Sequence, residues 1–175
     1  IDEIRKMAET ECEKEVIKRA FMFSCFCGLR ISDIRKLKWT DIEQTTDGDG
    51  NTHYRLSTTM QKTQKTITYQ LSNEAVKWLP ERGDGELVFN HLTKKSKLSM
   101  VVKDWAKAAG IEKYVTFHTA RHSFATMMLT LGADIYTTSK LLGHSKIQTT
   151  EIYAKIIDKK KDEAMGLIDK FFDKG

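Results

Sequence analysis

The chain has 175 residues and a net charge of +5, with 40% hydrophobic and 30% charged residues. This length and composition are typical of one soluble globular domain with its own core. No apolar run approaches the roughly 18 residues of a membrane-spanning helix, so we expect no membrane partner. The pI of about 9.0 permits a polyanionic partner without proving one.

The first half of the chain is predicted to be helical and then to form a small sheet. Residues from about 3 to 27 have a charged and then apolar helical pattern, which Gly28 ends. The segment ISDIRKL predicts a short second helix with Ser32 as its N-cap. Alternation in HYRLSTT and KTITYQL indicates antiparallel strands. Asn73 begins another helix, which Pro80 ends.

The second half is predicted to be helical. The segment SMVVKDWAKAAG forms one helix, and FHTARHSFATMMLTLG forms another that ends at Gly132. Gly143 closes the helix DIYTTSKLLG, and a single turn follows. The last helix is predicted from near Thr150 to Phe172. The expected fold class is therefore mainly α with a small antiparallel β-sheet (α+β).

Two candidate metal sites fail on their ligands. The segment TTDGDGNTHYRL has the spacing of a calcium loop but carries Thr58 where a bidentate Glu is needed, so a turn between two strands explains it better. His118 and His122 form an HxxxH pair, but Thr119 stands where a zincin-like Glu would be. Three cysteines without CxxC spacing form neither a zinc site nor a disulfide framework, and they favour a reducing, cytoplasmic compartment. We expect no metal and no cofactor.

Two arginines are candidate anion-binding groups. His118 and Arg121 are spaced i, i+3 and project side by side from one helix. Arg30 follows Gly28, and Asp33 is placed to orient it. A guanidinium fork suits two phosphate oxygens, but Arg121 bonded to the carbonyls of a helix end is an equally good interpretation, and the residues alone leave both open.

Four ordered motifs carry a resemblance to a known family: GLRISDIRKLKW, QKTQKTITYQLS, HTARHSFAT and LLGHSKIQTTEIYAKI. Over nearly its whole length, the chain resembles the catalytic domain of the tyrosine recombinases, or phage-type integrases. The resemblance implies the fold of that domain. It also implies a supporting role for Asp33 and a set of catalytic residues, namely Arg30, Lys62, His118, Arg121, His144 and Tyr153.

The resemblance implies a site-specific recombinase or integrase that cleaves and rejoins DNA without metal or ATP. Tyr153 would attack the scissile phosphate and form a 3′-phosphotyrosyl link, while Arg30 and Arg121 would stabilise the developing charge. Lys62 would protonate the departing 5′-oxygen. The two histidines of the motifs would add hydrogen bonds, with His118 a candidate to accept the tyrosine proton.

The choice of hairpin lysine stays open between Lys62 and Lys65. Strand alternation would place the two on opposite faces, so only one would enter the site, and we favour Lys62. A run with four lysines and no acid lies between residues 87 and 103; it is either a solvated face or a DNA-binding surface. Its candidate DNA-binding members are Lys94, Lys95 and Lys97, and Lys65 of the hairpin is a further candidate DNA-binding residue.

We expect residues 1–175 to be the catalytic domain of a longer protein, with 154–175 as a C-terminal tail helix and an N-terminal core-DNA-binding domain absent from this chain. The implied partners are double-stranded DNA recombination sites and further copies of the protein. We expect a homotetramer on DNA and expect this fragment alone to be monomeric. The tail could pack in cis or on a neighbouring protomer. We expect Tyr153 to be imperfectly placed without DNA.

Two other functions use the same fold. One is a type IB topoisomerase-like relaxing enzyme, which shares the covalent chemistry but exchanges no strands. The other is a catalytically silent DNA-binding module, which gains nothing from an exposed tyrosine at position 153.

Overall fold

A computed structural model of the chain describes residues 1–153, 158, 164 and 166, and the predicted tail helix 154–175 otherwise lies outside the described residues. Its helices are α1 (Asp2–Glu9), α2 (Glu15–Cys27), α3 (Ile31–Ile34), α4 (Asn73–Lys77), α5 (Lys95–Ala108), α6 (Phe117–Leu131) and α7 (Ile135–Leu141). Two 3-10 helices span Trp39–Asp41 and Ile147–Tyr153. The predicted α+β class is confirmed.

A three-stranded antiparallel sheet lies between α3 and α4. Its strands are β1 (Ile42–Thr46), β2 (Thr52–Thr59) and β3 (Thr66–Gln70), in the order β1-β2-β3. Between β1 and β2, the Asp47 carboxylate accepts hydrogen bonds from the backbone N–H groups of Asp49 (3.0 Å) and Asn51 (2.8 Å). The predicted turn at this position is confirmed.

Three predicted boundaries are wrong. The helix predicted over 3–27 is interrupted at Thr10, whose carbonyl instead accepts hydrogen bonds from Lys18 Nζ (2.8 Å) and Trp105 Nε1 (3.0 Å). The N-cap of α3 is Arg30 rather than Ser32, because the Asp33 carboxylate reaches back to the Arg30 N–H. Helix α5 begins at Lys95, ahead of the start at Ser99 that the segment SMVVKDWAKAAG predicts.

Helix α2 is the centre of the core and packs against α1, α4, α5 and α6. Its Phe21 ring meets the rings of Trp105 and Phe117 edge-on at 5.5 and 5.6 Å between centroids. Cys25 and Cys27 are fully buried in this helix, as expected for small hydrophobic side chains. No helix within the described residues is long and apolar enough to cross a bilayer.

The end of α2 approaches α6 closely. Gly28 has φ +74°, and a Cβ there would lie 2.6 Å from Cδ1 of Phe124. Only glycine tolerates both this backbone conformation and this contact. The approach places the chain after α2, which begins with Leu29 and Arg30, beside the first turns of α6.

Candidate active site

Arg121 lies in α6 and is almost fully buried. Its Nη1 donates to the carbonyl of Gly28 at 2.7 Å and its Nη2 to the carbonyl of Leu142 at 2.6 Å, so it bonds the ends of α2 and α7. Two of the five N–H groups of Arg121 therefore bind helix-end carbonyls, as one of the two interpretations of the sequence predicts. Burial, and then the charge of Arg30, lower the pKa of Arg121 to about 10.

Arg30 provides a second guanidinium close to the first. Burial lowers its pKa, and the Asp33 carboxylate opposes that shift. Its Nη1 is buried without a hydrogen-bond partner among the described residues. Two neighbouring guanidinium groups, one with an unpaired buried donor, form an arrangement that favours a bound anion.

Asp33 is buried, with 3% of its surface exposed. One carboxylate oxygen accepts from the backbone N–H of Arg30 at 3.3 Å, and the other accepts from the backbone N–H of Gln61 at 2.8 Å. Asp33 therefore holds Arg30 through its backbone, and it also fixes the turn that carries the two candidate lysines.

Lys62 and Lys65 both lie in the turn between β2 and β3, so the strand alternation used to separate them does not apply. The charge of Lys62 contributes to lowering the pKa of His118. Lys65 Nζ lies 3.4 Å from the carbonyl oxygen of His144. Both lysines therefore reach the side of the hairpin that faces the candidate site.

Two histidines of α6 stand between the arginines and the tyrosine. The rings of His118 and His122 meet edge-on, 4.5 Å apart at 84°. Burial is the main cause that lowers the pKa of His118, and the neighbouring His122 and Arg121 lower it further. Burial also lowers the pKa of His122, with a smaller contribution from Arg121. The Nδ1 atom of His122 lies 2.5 Å from the hydroxyl of Tyr153.

His144 follows the end of α7. Its Nδ1 lies 2.9 Å from the hydroxyl of Thr150, a fully buried residue of the 3-10 helix Ile147–Tyr153. Burial, and then the charges of Arg121 and Arg30, lower the pKa of His144 to about 4. A neutral His144 thus holds the segment that carries Tyr153.

Tyr153 is the last residue of that 3-10 helix. Its ring packs on a small apolar cluster around Phe124, Ala125 and Leu142. Burial raises the pKa of the phenol, and Arg121 opposes the shift. The side chain is half-buried, and its hydroxyl is bonded to a site histidine rather than into the core.

The structure brings the predicted catalytic residues together, but not the candidate DNA-binding residues Lys94 and Lys97. Lys94 is the N-cap of α5, and Lys95 and Lys97 follow in its first turn. No described contact joins Lys94 or Lys97 to the cluster. Within the described part of the chain, no three His, Cys, Asp or Glu side chains lie close enough to hold a metal ion.

Sequence reasoning missed the contact between His122 and Tyr153. The sequence pattern indicates His122 only as half of an HxxxH metal pair. The available signal is its position four residues after His118, which places the two histidines on one face of the helix.

Comparisons with known proteins identify relatives of this chain. The chain is 36% identical over 140 residues to tyrosine recombinase XerD of Listeria innocua, covering 74% of this chain and 46% of that protein. It is 31% identical over 179 residues to tyrosine recombinase XerA of Pyrococcus furiosus, covering 94% of this chain and 59% of that protein. It thus spans about half the length of the curated relatives it matches.

The fold has solved counterparts. A post-cleavage complex of XerH site-specific recombinase bound to palindromic difH substrate superposes with a TM-score of 0.70 at 21% identity, covering 95% of this chain and 50% of that chain. The sequence profile described as the phage integrase family matches residues 1–160. The chain therefore belongs to the phage integrase family, the tyrosine recombinases.

Proposed function

We propose that the chain is the catalytic domain of a site-specific DNA recombinase or integrase that acts through Tyr153 without metal or ATP. The observation that carries this proposal is the meeting, in one cluster, of a tyrosine hydroxyl, neutral histidines and two neighbouring guanidinium groups, one of which has an unpaired buried donor. Membership in the tyrosine recombinases supports it.

The charges of the cluster suit a phosphodiester. Arg30, Arg121 and Lys62 are positive, and the buried Asp33 carboxylate offsets one of these charges. A phosphodiester carries one negative charge, and its pentacoordinate transition state carries about two. The net positive charge therefore stabilises the transition state more than the bound substrate, which is the requirement for catalysis.

In the proposed reaction, the Tyr153 oxygen attacks the scissile phosphorus and the bond to the 5′-oxygen breaks. Arg30 and Arg121 bind the non-bridging oxygens, and His118 and His144 donate further hydrogen bonds. Lys62 gives a proton to the departing 5′-oxygen. The 3′-phosphotyrosyl link conserves the energy of the bond, so that another 5′-hydroxyl can reverse the step.

The proposed substrate is duplex DNA carrying a recombination site, and the proposed active assembly is a homotetramer in the cytoplasm. The complex of XerH with its palindromic difH substrate supports DNA as the partner. Lys94, Lys95 and Lys97 are proposed to contact phosphates, since lysines at an exposed helix start supply sequence-independent affinity.

The test uses the full-length protein and sheared genomic DNA from its source. After denaturation in detergent, covalently bound DNA is trapped and its protein-linked 3′ ends are sequenced, which also identifies the site. Wild type should yield adducts at a defined sequence, Tyr153→Phe should yield none, and Tyr114→Phe, a change at a well-exposed tyrosine, should match wild type.

The same experiment, extended to plasmid relaxation and strand joining, distinguishes a recombinase from the two alternative functions. A silent DNA-binding module would give no adduct with wild type, and that result would end the enzyme proposal. Adducts with relaxation of a supercoiled plasmid, but without joint molecules from two site-bearing duplexes, would indicate the topoisomerase-like activity. Joint molecules that require Tyr153 would support recombination.

A further inference from the structure

The hydroxyl of Tyr153 has a close partner that the proposed mechanism does not yet use. The Nδ1 atom of His122 lies 2.5 Å from it, and the two ring centroids are 5.8 Å apart. Resting on the proposed function, we propose that His122 is a catalytic residue that accepts the phenolic proton of Tyr153 as the oxygen attacks phosphorus.

The direction of this hydrogen bond follows from the two groups. Burial and Arg121 lower the pKa of His122, so its imidazole is neutral at pH 7 and one nitrogen is a free acceptor. Burial raises the pKa of Tyr153, so the phenol keeps its proton. The phenol therefore donates to Nδ1, and His122 carries its own proton on Nε2.

His118, the proton acceptor expected from the sequence, has a different place. Within the described residues, the hydrogen bond to Tyr153 is made by His122 and none is made by His118. His118 meets the ring of His122 edge-on, and the charges of Arg121, Arg30 and Lys62 act on it. Those are the groups proposed to surround the phosphate, so His118 is placed to donate a hydrogen bond to a phosphate oxygen.

The charged and titratable groups that act on His122 include His118, Arg121, Tyr153 and His144. His122 also lines a cavity together with Glu3, Lys113 and Tyr114. Arg121 opposes protonation of the imidazole while the phosphate is absent. A phosphodiester bound at Arg121 offsets that charge, so the imidazole becomes a stronger base when the substrate is in place. Binding of the substrate thus raises the proton affinity of His122.

The step balances. The O–H bond of Tyr153 breaks and an N–H bond forms at Nδ1, giving an imidazolium. The phenolic oxygen bonds to phosphorus, the bond to the 5′-oxygen breaks, and Lys62 supplies the proton of the new 5′-hydroxyl. In the rejoining step, the neutral Lys62 amine takes the proton of the attacking 5′-hydroxyl, and the imidazolium returns its proton to the departing Tyr153 oxygen.

The first experiment measures single-turnover cleavage by the full-length protein on a nicked duplex built from the site that the adducts identify. His122→Asn keeps a polar group near the Nδ1 position but cannot take a proton. Its cleavage rate should fall by about 10²–10⁴-fold, the usual contribution of general base catalysis. His91→Asn, at an exposed residue with φ 61°, is the matched control and should match wild type. A His122→Asn rate equal to that of wild type would overturn the inference.

The second experiment separates a proton acceptor from a merely positioning group. Tyr153 is replaced by a fluorinated tyrosine, whose phenol has a lower pKa and needs less help to lose its proton. This replacement should narrow the rate difference between His122→Asn and wild type, and an unchanged difference would refute proton transfer. Melting curves and non-covalent DNA binding by His122→Asn confirm that the variant is folded.

Failure of the inference and failure of the proposed function are distinguishable. Adducts formed by wild type and equally by His122→Asn would remove only the role of His122. No adduct with wild type would remove the recombinase proposal and, with it, this step.

Discussion

The carboxylate of Asp33 accepts a 2.8 Å hydrogen bond from the backbone N–H of Gln61, the residue before Lys62. The same carboxylate accepts from the N–H of Arg30. One buried side chain therefore fixes both the proposed phosphate-binding arginine and the proposed leaving-group acid, although they lie on separate segments of the chain.

Removing that carboxylate should loosen both segments. Asp33→Ala leaves two backbone N–H groups without their acceptor, and we expect a loss of about 1–3 kcal/mol for each one that stays buried and unpaired. Chemical denaturation measures this, with Asp41→Ala as control because Asp41 caps Lys38 in the same way away from the site. An Asp33→Ala loss no larger than that of Asp41→Ala would contradict the bridging role.

Gly28→Ala should be far more damaging than Gly110→Ala. Both glycines have φ near +70°, so both substitutions carry a similar backbone cost of about 1–2 kcal/mol. A Cβ at Gly28 also meets the Phe124 ring, whereas nothing lies within 4 Å at Gly110. Overpacking should cost about 1–3 kcal/mol more at Gly28, measured by urea unfolding. Equal losses would show that the approach of α2 to α6 is not tight.

Lys62→Ala should slow DNA cleavage strongly, by about 10²–10⁴-fold if Lys62 is the general acid. A substrate with sulfur in place of the bridging 5′-oxygen should restore most of the rate, because a thiolate leaves without a proton. Lys65→Ala should have a smaller effect that sulfur does not change. The reverse pattern would assign the acid to Lys65, whose Nζ lies near the His144 carbonyl. His122→Asn should not be restored by sulfur.

Acid should destabilise the domain through His144. Its pKa falls from 6.5 to about 4 on folding, mainly because the side chain is buried, so the unfolded chain binds more protons between these values. The stability it contributes is fully present above pH 6.5 and is lost as the pH falls to about 4. His144→Gln should lose less stability than wild type between pH 7 and pH 4.5, measured by urea midpoints, whereas His91→Gln should follow wild type. A parallel loss in His144→Gln would contradict the shift.

Much of this site could be predicted because its parts are local. Gly28 and Gly143 end helices, as their sequence positions suggest, and the His118–Arg121 spacing places both side chains on one helix face. The residues that terminate helices and share helix faces depend only on neighbours within a turn or two.

The parts that sequence reasoning got wrong depend on distant partners. The break at Thr10 is stabilised by Trp105, 95 residues away, and no local pattern announces it. The strand alternation argument failed for Lys62 and Lys65 because the strands end at Thr59 and resume at Thr66. The partner of His122 emerges only once the 3-10 helix brings Tyr153 to α6.

The two carbonyl bonds of Arg121 also bear on how the protein is made. They join the end of α2 to the end of α7, segments more than a hundred residues apart, through a side chain on the helix between them. A ribosome must therefore release residue Leu142 before the guanidinium acquires its final orientation. The proposed nucleophile, Tyr153, is synthesised later still. A chain that ends before Leu142 accordingly lacks one of the two carbonyl partners of Arg121 as well as the proposed nucleophile, so the proposed site could be completed only near the end of its synthesis.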